Sequence, residues 1–346
     1  MSRPLRVVVS AAEASGDALA AALVRALAVR ADIDVCGVGG PAMRAAGVRP
    51  VDGCVPLRPA MGTVEVLGSL WGTVRNLRAV WRALDRADLL VVVDAPDQHL
   101  PLARLARGRV PVVGYVSPQV WAWRAGRVHA VAQALDQLLC LWPFEPALYA
   151  GTGLDARFVG HPASERSTRS TREEGVLAVV PGSRPAEVRR HLATFLAVAR
   201  ETGAREVLLP RASTITEEGV GTLPPWVRPC AMEDVLARAD RALTKSGTST
   251  LELALAGIPA VVAHRVSPIT WAVARRFTRG LRHVALPNIL LESRVQEEHL
   301  QHLDVAGLGE ALARAQPVPV EALRARLEVP GGPSAAAAEA VLSRWG

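Results

Sequence analysis

Lysine is almost absent: of 40 basic residues in this 346-residue chain, Lys245 is the one lysine and the rest are arginine. Cysteine is scarce too. Cys36, Cys54, Cys140 and Cys230 are far apart and form no C-x-x-C pair, which excludes a zinc knuckle and a disulfide framework and suits a reducing cytoplasm. Aromatic residues make up 4% of the chain, and none interleaves with basic runs as nucleic-acid motifs require, so no nucleic-acid partner is expected. Long hydrophobic runs are also missing. Ser246–Ala263 has a single charge but is divided by Gly257 and Pro259, and Val110–Trp123 is broken by two prolines and a glycine. Neither suits a bilayer span, so any membrane contact is expected to be peripheral. The first residues read as running directly into a strand, so no signal peptide is expected. There is no P-loop, G-x-S-x-G elbow or H-E-x-x-H, and no cluster of metal ligands, so neither a metal nor a cofactor is expected. The formal charge of +7 is spread along the chain, fitting solvated helix faces first and attraction to phosphates or an anionic membrane second.

What is present is a repeated βα rhythm. Half the residues are apolar, much of that share alanine, and the length suits two domains. Strands are expected at Arg6–Ser10, Ile33–Gly37, Leu89–Val93, Val110–Val116 and Gln137–Leu141, with a helix from Asp17 to about Arg30. The continuous apolar run Leu89–Val93 suits a parallel sheet covered on both faces. The polar stretch Ser164–Glu174 reads as a linker. After it the rhythm restarts with a strand at Val176–Val180, a helix from about Ala186 to Thr202, and strands at Glu206–Leu209, before Lys245, and at Ala260–Ala263. The expected architecture is α/β: two Rossmann-like doubly wound domains, 1–165 and 175–330, facing a cleft at their strands' carboxyl ends. A final helix at 334–346 is expected to pack back on the first domain.

Several motifs sit at strand ends. In Ala242-Leu243-Thr244-Lys245-Ser246-Gly247-Thr248-Ser249-Thr250-Leu251-Glu252, a strand meets a small-residue turn that opens a helix, whose free N–H groups and dipole suit a phosphate. Glu252 is placed to take ribose hydroxyls. Pro181-Gly182-Ser183-Arg184 closes the first strand of the second half, with Arg184 offering a planar fork to phosphate. Together, Lys245 and Arg184 can neutralise a leaving diphosphate without metal. In the first half, Ser10–Asp17 supplies a carboxylate, a hydroxyl and a glycine, which suits either a ligand turn or ordinary helix capping. Asp94-Ala95-Pro96-Asp97 projects two carboxylates, one a candidate general base. Gly37-Val38-Gly39-Gly40-Pro41 reads as a tight turn with Pro41 opening a helix, and Asp32-Ile33-Asp34 as a solvated turn. Two stretches combine aromatics with arginine and are candidate lipid contacts: Met61–Leu84, with Trp71 and Trp81, and Ile269–Leu281, with Trp271 and Phe277.

These blocks, together with Tyr115–Arg124 (Tyr-Val-Ser-Pro-Gln-Val-Trp-Ala-Trp-Arg), Pro143-Phe144-Glu145-Pro146, Phe158-Val159-Gly160-His161-Pro162, Arg265-Val266-Ser267-Pro268 and Leu286-Pro287-Asn288, run through nearly the whole chain. In that order and spacing the sequence resembles the lipid-A-disaccharide synthases, inverting glycosyltransferases of the GT-B fold. The resemblance implies that UDP-2,3-diacylglucosamine donates its sugar to the 6-hydroxyl of 2,3-diacylglucosamine 1-phosphate at the inner-membrane surface. It implies Asp97 as the base, with Asp94 second. Ser183, Arg184, Lys245, Ser246, Gly247, Thr248 and Glu252 would hold UDP, and Asn288 would line the donor site. Glu13, Ser15 and His161 would face the cleft, while Trp71, Trp81 and Trp271 would meet acyl chains or membrane. Departures are Gln98-His99, where the family commonly has an aromatic and an asparagine, and Lys245, where it often has a small residue. The alternatives are an enzyme like the UDP-N-acetylglucosamine 2-epimerases and a non-enzymatic nucleotide- or RNA-binding module.

Overall fold

The computed structural model describes residues 3–55, 65–120, 125–165, 171–210, 222–267, 271 and 282–345, without the side chains of 65–70 and 125. Met61, Trp121, Trp123 and most of Ile269–Leu281, Phe277 included, lie outside the described residues. The chain divides into two compact units. Met1–Pro162 and Leu327–Gly346 form the first, and Ala163–Arg326 forms the second.

The first unit holds strands β1 (Leu5–Ala11), β2 (Ile33–Val38), β3 (Arg49–Pro50), β4 (Leu89–Val93), β5 (Val112–Tyr115), β6 (Gln137–Cys140) and β7 (Asp155–Phe158). They lie in the order β3-β2-β1-β4-β5-β6-β7, and every pairing is parallel. Alternate residues supply two cores: Val7, Val9, Val91 and Val93 face one side, and Val8, Leu90, Val92 and Val112 the other. With both faces covered, the uninterrupted apolar run of β4 has no polar side to present. Helices α1 (Ala14–Ala28), α2 (Pro41–Ala45), α3 (Glu65–Ala83) and α4 (Pro96–Ala106) follow these strands.

The second unit repeats the plan with β8 (Glu173–Val180), β9 (Glu206–Pro210), β10 (Val227–Cys230), β11 (Ala239–Thr244), β12 (Ala260–His264) and β13 (Glu297–Leu300), all parallel in the order β10-β9-β8-β11-β12-β13. Helix α5 (Pro185–Glu201) follows β8, α6 (Thr248–Leu255) follows β11, and α7 (Leu286–Leu291) precedes β13. Helix α8 (Pro333–Trp345) belongs to the first unit: its Ala337, Ala338 and Val341 join the core formed by Ala20, Leu23 and Leu27 of α1. Gln137 Nε2 donates to the Ala340 carbonyl at 3.1 Å.

Several boundaries differ from the sequence expectation by one to three residues, β8 among them, which begins at Glu173 inside the expected linker; two have a clear physical reason. Helix α1 begins at Ala14, three residues before Asp17, because Asp17 is diverted from capping its own helix. Its buried carboxylate accepts from Gly40, Ala42 and Met43 N–H at 2.7, 2.9 and 3.1 Å, fixing the start of α2 with Pro41 in its first turn. A Cβ at Gly40 would lie 2.5 Å from that carboxylate, so the motif is a backbone requirement. Strand β5 stops at Tyr115 because Val116 takes φ 80°, a left-handed conformation costly for a β-branched residue.

In each sheet the strand order reverses once, between β1 and β4 and between β8 and β11, and these switch points are where doubly wound sheets bind ligands. At the first, a buried histidine joins the two outgoing turns. His99 Nδ1 lies 2.7 Å from the Asp94 carbonyl, which only accepts, so Nδ1 carries the hydrogen. In the neutral ring Nε2 then accepts from the Ser10 hydroxyl, 3.0 Å away. Burial lowers the His99 pKa. Below pH 6.5, the ordinary histidine value, the unfolded chain therefore takes up a proton that the native state refuses, and stability falls as pH falls. Each such group steepens the acid slope by at most about 1.4 kcal/mol per pH unit. His99→Asn, uncharged throughout, is expected to flatten the loss of thermal midpoint between about pH 7 and pH 5; an unchanged slope would refute this assignment. His191 and His264, whose pKa values burial also lowers, supply a remaining slope common to both proteins.

Candidate functional site

At the first unit's switch point, β1 leads through exposed Glu13 and Ser15 into α1, and β4 leads through Asp94 into α4. The helix start and the strand end touch: a Cβ at Gly16 would lie 3.4 Å from the Val93 carbonyl. Asp94 and Ala95 both take left-handed conformations, φ 53° and 46°. Two successive non-glycine residues there store strain of about 1–3 kcal/mol each, held by the His99 and Ser10 side chains and by Asp94 N–H donating to the Tyr115 carbonyl at 2.9 Å. This turn brings Asp97 into the first turn of α4, where its carboxylate is 75% exposed and 2.9 Å from Arg127 Nη1. Asp94 is half-buried at the strand end. His161 follows β7 in the same unit; its ring stacks on Trp142 with centroids 4.5 Å apart, and its N–H donates to the Leu327 carbonyl.

At the second unit's switch point the turn after β8 folds around a carboxylate of its own. Ser183 and Arg184 N–H donate to Glu187 Oε2 at 3.2 and 3.4 Å. Gly182 takes φ 127°, and a Cβ there would lie 2.5 Å from that same oxygen, so only glycine fits. Lys245 Nζ donates to Glu187 Oε1 at 2.9 Å, and both side chains are 16% exposed. Burial alone would raise the Glu187 carboxyl, but the hydrogen bond and charge of Lys245, joined by Arg184, outweigh it and hold it below its ordinary value. The Arg184 guanidinium is 77% exposed. Beneath lie two histidines. His191 Nδ1–H donates to the Glu187 carbonyl at 2.8 Å, and its Nε2 accepts from Arg265 N–H at 2.9 Å. His264 stacks on it with centroids 5.7 Å apart, and burial pushes its pKa down to about 4.

The second outgoing turn carries the helix start read from the sequence. Ser246 Oγ donates to the Val284 carbonyl at 2.7 Å, Gly247 caps α6, and Thr248 is exposed at its first position. Glu252, four residues on, shares the face of Thr248. Asn288 is placed differently from its neighbours in the motif list. It is fully buried: its amide donates to the Gln296 carbonyl and Glu298 Oε1 at 2.7 and 2.9 Å, while its Oδ1 accepts from Gln296 N–H. That amide ties α7 to β13.

The three tryptophans also separate. Trp71 is 72% exposed, and with Val74, Arg75, Arg78 and Arg82 it lies on the solvent face of α3. Trp81 is turned inward beside Val80 and Leu84, with the Arg109 guanidinium 4.3 Å over its ring, because it lies on the core side of the same helix. Trp271 is half-buried, its N–H donating to the Ser267 carbonyl. The sequence therefore pointed to most of the side chains at the two switch points. It did not point to Ser10 paired with His99, or to Glu187 with its two histidines. The one available signal was His99 standing where an asparagine is usual.

A family model described as lipid-A-disaccharide synthetase matches residues 7–311. The lipid-A-disaccharide synthase of Anaeromyxobacter dehalogenans is 37% identical over 371 aligned positions, which cover 96% of either chain. Among solved structures, the glycotransferase of kitacinnamycin superposes with a TM-score of 0.62 at 18% identity, covering all of both chains. The UDP-GlcNAc 2-epimerase of Neisseria meningitidis superposes with a TM-score of 0.60 at 10% identity over 99% of each chain. The structural matches establish a fold shared by glycosyltransferases and epimerases, the GT-B fold, and leave the choice between them to sequence. The sequence relationship makes that choice: the chain belongs to the lipid-A-disaccharide synthetase family.

Proposed function

We propose that the chain transfers a diacylglucosamine unit from UDP-2,3-diacylglucosamine to the 6-hydroxyl of 2,3-diacylglucosamine 1-phosphate, releasing UDP. The observation that carries this reading is that each unit's own switch point holds one half of the chemistry the reaction needs, within a chain of this family. One turn holds a carboxylate on a strained, pinned backbone, and the other holds an exposed guanidinium beside a helix start. Asp97 takes the proton of the acceptor hydroxyl, and that oxygen forms a bond to C1 of the donor sugar. The bond from C1 to the diphosphate oxygen breaks with its electron pair on UDP, and attack from the opposite face inverts C1. Arg184, Ser183 and the N–H groups opening α6 take up the charge developing on the diphosphate, with Thr248 and Glu252 on the same helix face for the ribose. Asp94 supports the turn through its backbone, and Glu13, Ser15 and His161 serve the acceptor side. Asn288 acts through the α7–β13 connection that it braces.

Both substrates carry acyl chains, and the solvent face of α3 suits an anionic bilayer surface: an exposed indole, Val74 and three arginines share one helical stripe. No helix among the described residues is long and apolar enough to cross a membrane. This reading places the protein at the cytoplasmic face of the inner membrane, held peripherally.

Three outcomes test the proposal. UDP release from UDP-2,3-diacylglucosamine is expected to require the monosaccharide 1-phosphate, and Asp97→Asn is expected to lower it by about a hundredfold or more; full activity in that variant moves the base elsewhere. Arg184→Met is expected to raise the donor KM by about tenfold or more, as loss of a charge-assisted phosphate contact should. Sedimentation with anionic vesicles is expected to fall when Trp71→Ser is combined with Arg75→Glu and Arg78→Glu, and to stay unchanged if α3 does not meet the bilayer.

A further inference from the structure

Lys245 is the residue that the sequence marks most plainly for a phosphate, yet its ammonium is already engaged. It lies 2.9 Å from Glu187 Oε1, with both side chains largely buried. The other oxygen of that carboxylate fills the backbone cradle of the Pro181–Arg184 turn, accepting from Ser183 and Arg184 N–H. An internal anion thus occupies the position that the turn's amides would offer to a ligand, and Gly182 has no Cβ because that carboxylate sits against it. Among the described residues of this cluster, Arg184 is the cation that faces solvent, its Nη1 3.7 Å from the same Glu187 oxygen that Lys245 holds.

We infer that Lys245 is a positioning residue: by taking the close hydrogen bond to Glu187 Oε1 it leaves Arg184 in a loose, exposed ion pair and so available to the donor's diphosphate, and it does not itself bind phosphate. This rests on the donor site proposed above. Without Lys245, Arg184 is the nearest cation to the stranded carboxylate, and Glu187 draws the guanidinium inward. The turn then presents a half-buried negative charge, and no free arginine, to an anionic ligand. His191 and His264 cannot substitute for Lys245. The ring N–H of His191 is committed to the Glu187 carbonyl, and burial keeps both rings neutral near pH 7.

The two roles predict opposite coupling in a double-mutant cycle read by UDP affinity, with uridine as the ligand lacking phosphate. Lys245→Met is expected to weaken UDP by about tenfold or more while leaving uridine unaffected. Adding Glu187→Gln to that variant is expected to recover most of the loss, because the uncharged amide no longer recruits Arg184. If the double variant binds UDP as weakly as Lys245→Met alone, Lys245 is a direct phosphate ligand and the inference is wrong. Unchanged UDP affinity in Lys245→Met overturns it as well. Lys245→Gln, which keeps a donor toward Glu187 without the charge, reads the same way should the methionine variant fail to fold. Absence of UDP binding by the wild-type protein would instead refute the donor site itself.

Discussion

A parallel sheet covered on both faces leaves the turns at its carboxyl ends partly desolvated, and irregular backbone there has unpaired N–H and C=O groups. The structure depends on how those groups are satisfied. At these turns a polar side chain makes the pairing, from a neighbouring element (Asp17 for the start of α2, Glu298 for Val284 and Ala285) or from the helix that the turn opens (His99 for Asp94, Glu187 for Ser183 and Arg184). Each is well buried or backed by a partner of its own. Buried networks of this kind are rigid when complete and costly when broken. Rigidity is what a base and a diphosphate cradle need, since reacting groups must be held to within a fraction of an ångström.

This division explains what could be read from the sequence. The strands were legible because burial on both faces forces runs such as Leu89–Val93, and the turns were legible because glycine, proline and small residues punctuate them. The roles proposed for Asp97 and Arg184 were suggested by their places near strand ends together with the family resemblance. The pins were not legible. His99 reaches Ser10 across 89 positions and Lys245 reaches Glu187 across 58, and no periodicity or local spacing encodes such a pairing. The diversion of Asp17 to a second helix displaced the expected start of α1 for the same reason. Trp81 and Trp71 looked alike in sequence, and the ten positions between them send them to different faces of α3.

The strained pair Asp94 and Ala95 has a different standing from the pins around it. Left-handed backbone at two adjacent non-glycine residues is unfavourable in isolation, and no local propensity selects it. It persists because the tertiary structure over-determines it, a pattern concentrated where function constrains geometry. In the second unit the turn after β8 uses Gly182 for its left-handed position and has no such strain on side-chain-bearing residues. The turn beside the proposed base is held under strain, while the turn beside the proposed anion site has a relaxed backbone and concentrates its cost in a buried ion pair.

The return of the chain at Leu327 makes the second unit an insertion within the first. During synthesis, the core beneath α1 stays open while all of Ala163–Arg326 is made, and it closes only when Ala337, Ala338 and Val341 leave the ribosome. The second unit has all of its own strands before that moment. The first unit is thus divided in time: its strands and the core on its other face all precede the second unit in the chain, while the core beneath α1 gains its last side chains only after the second unit has been made.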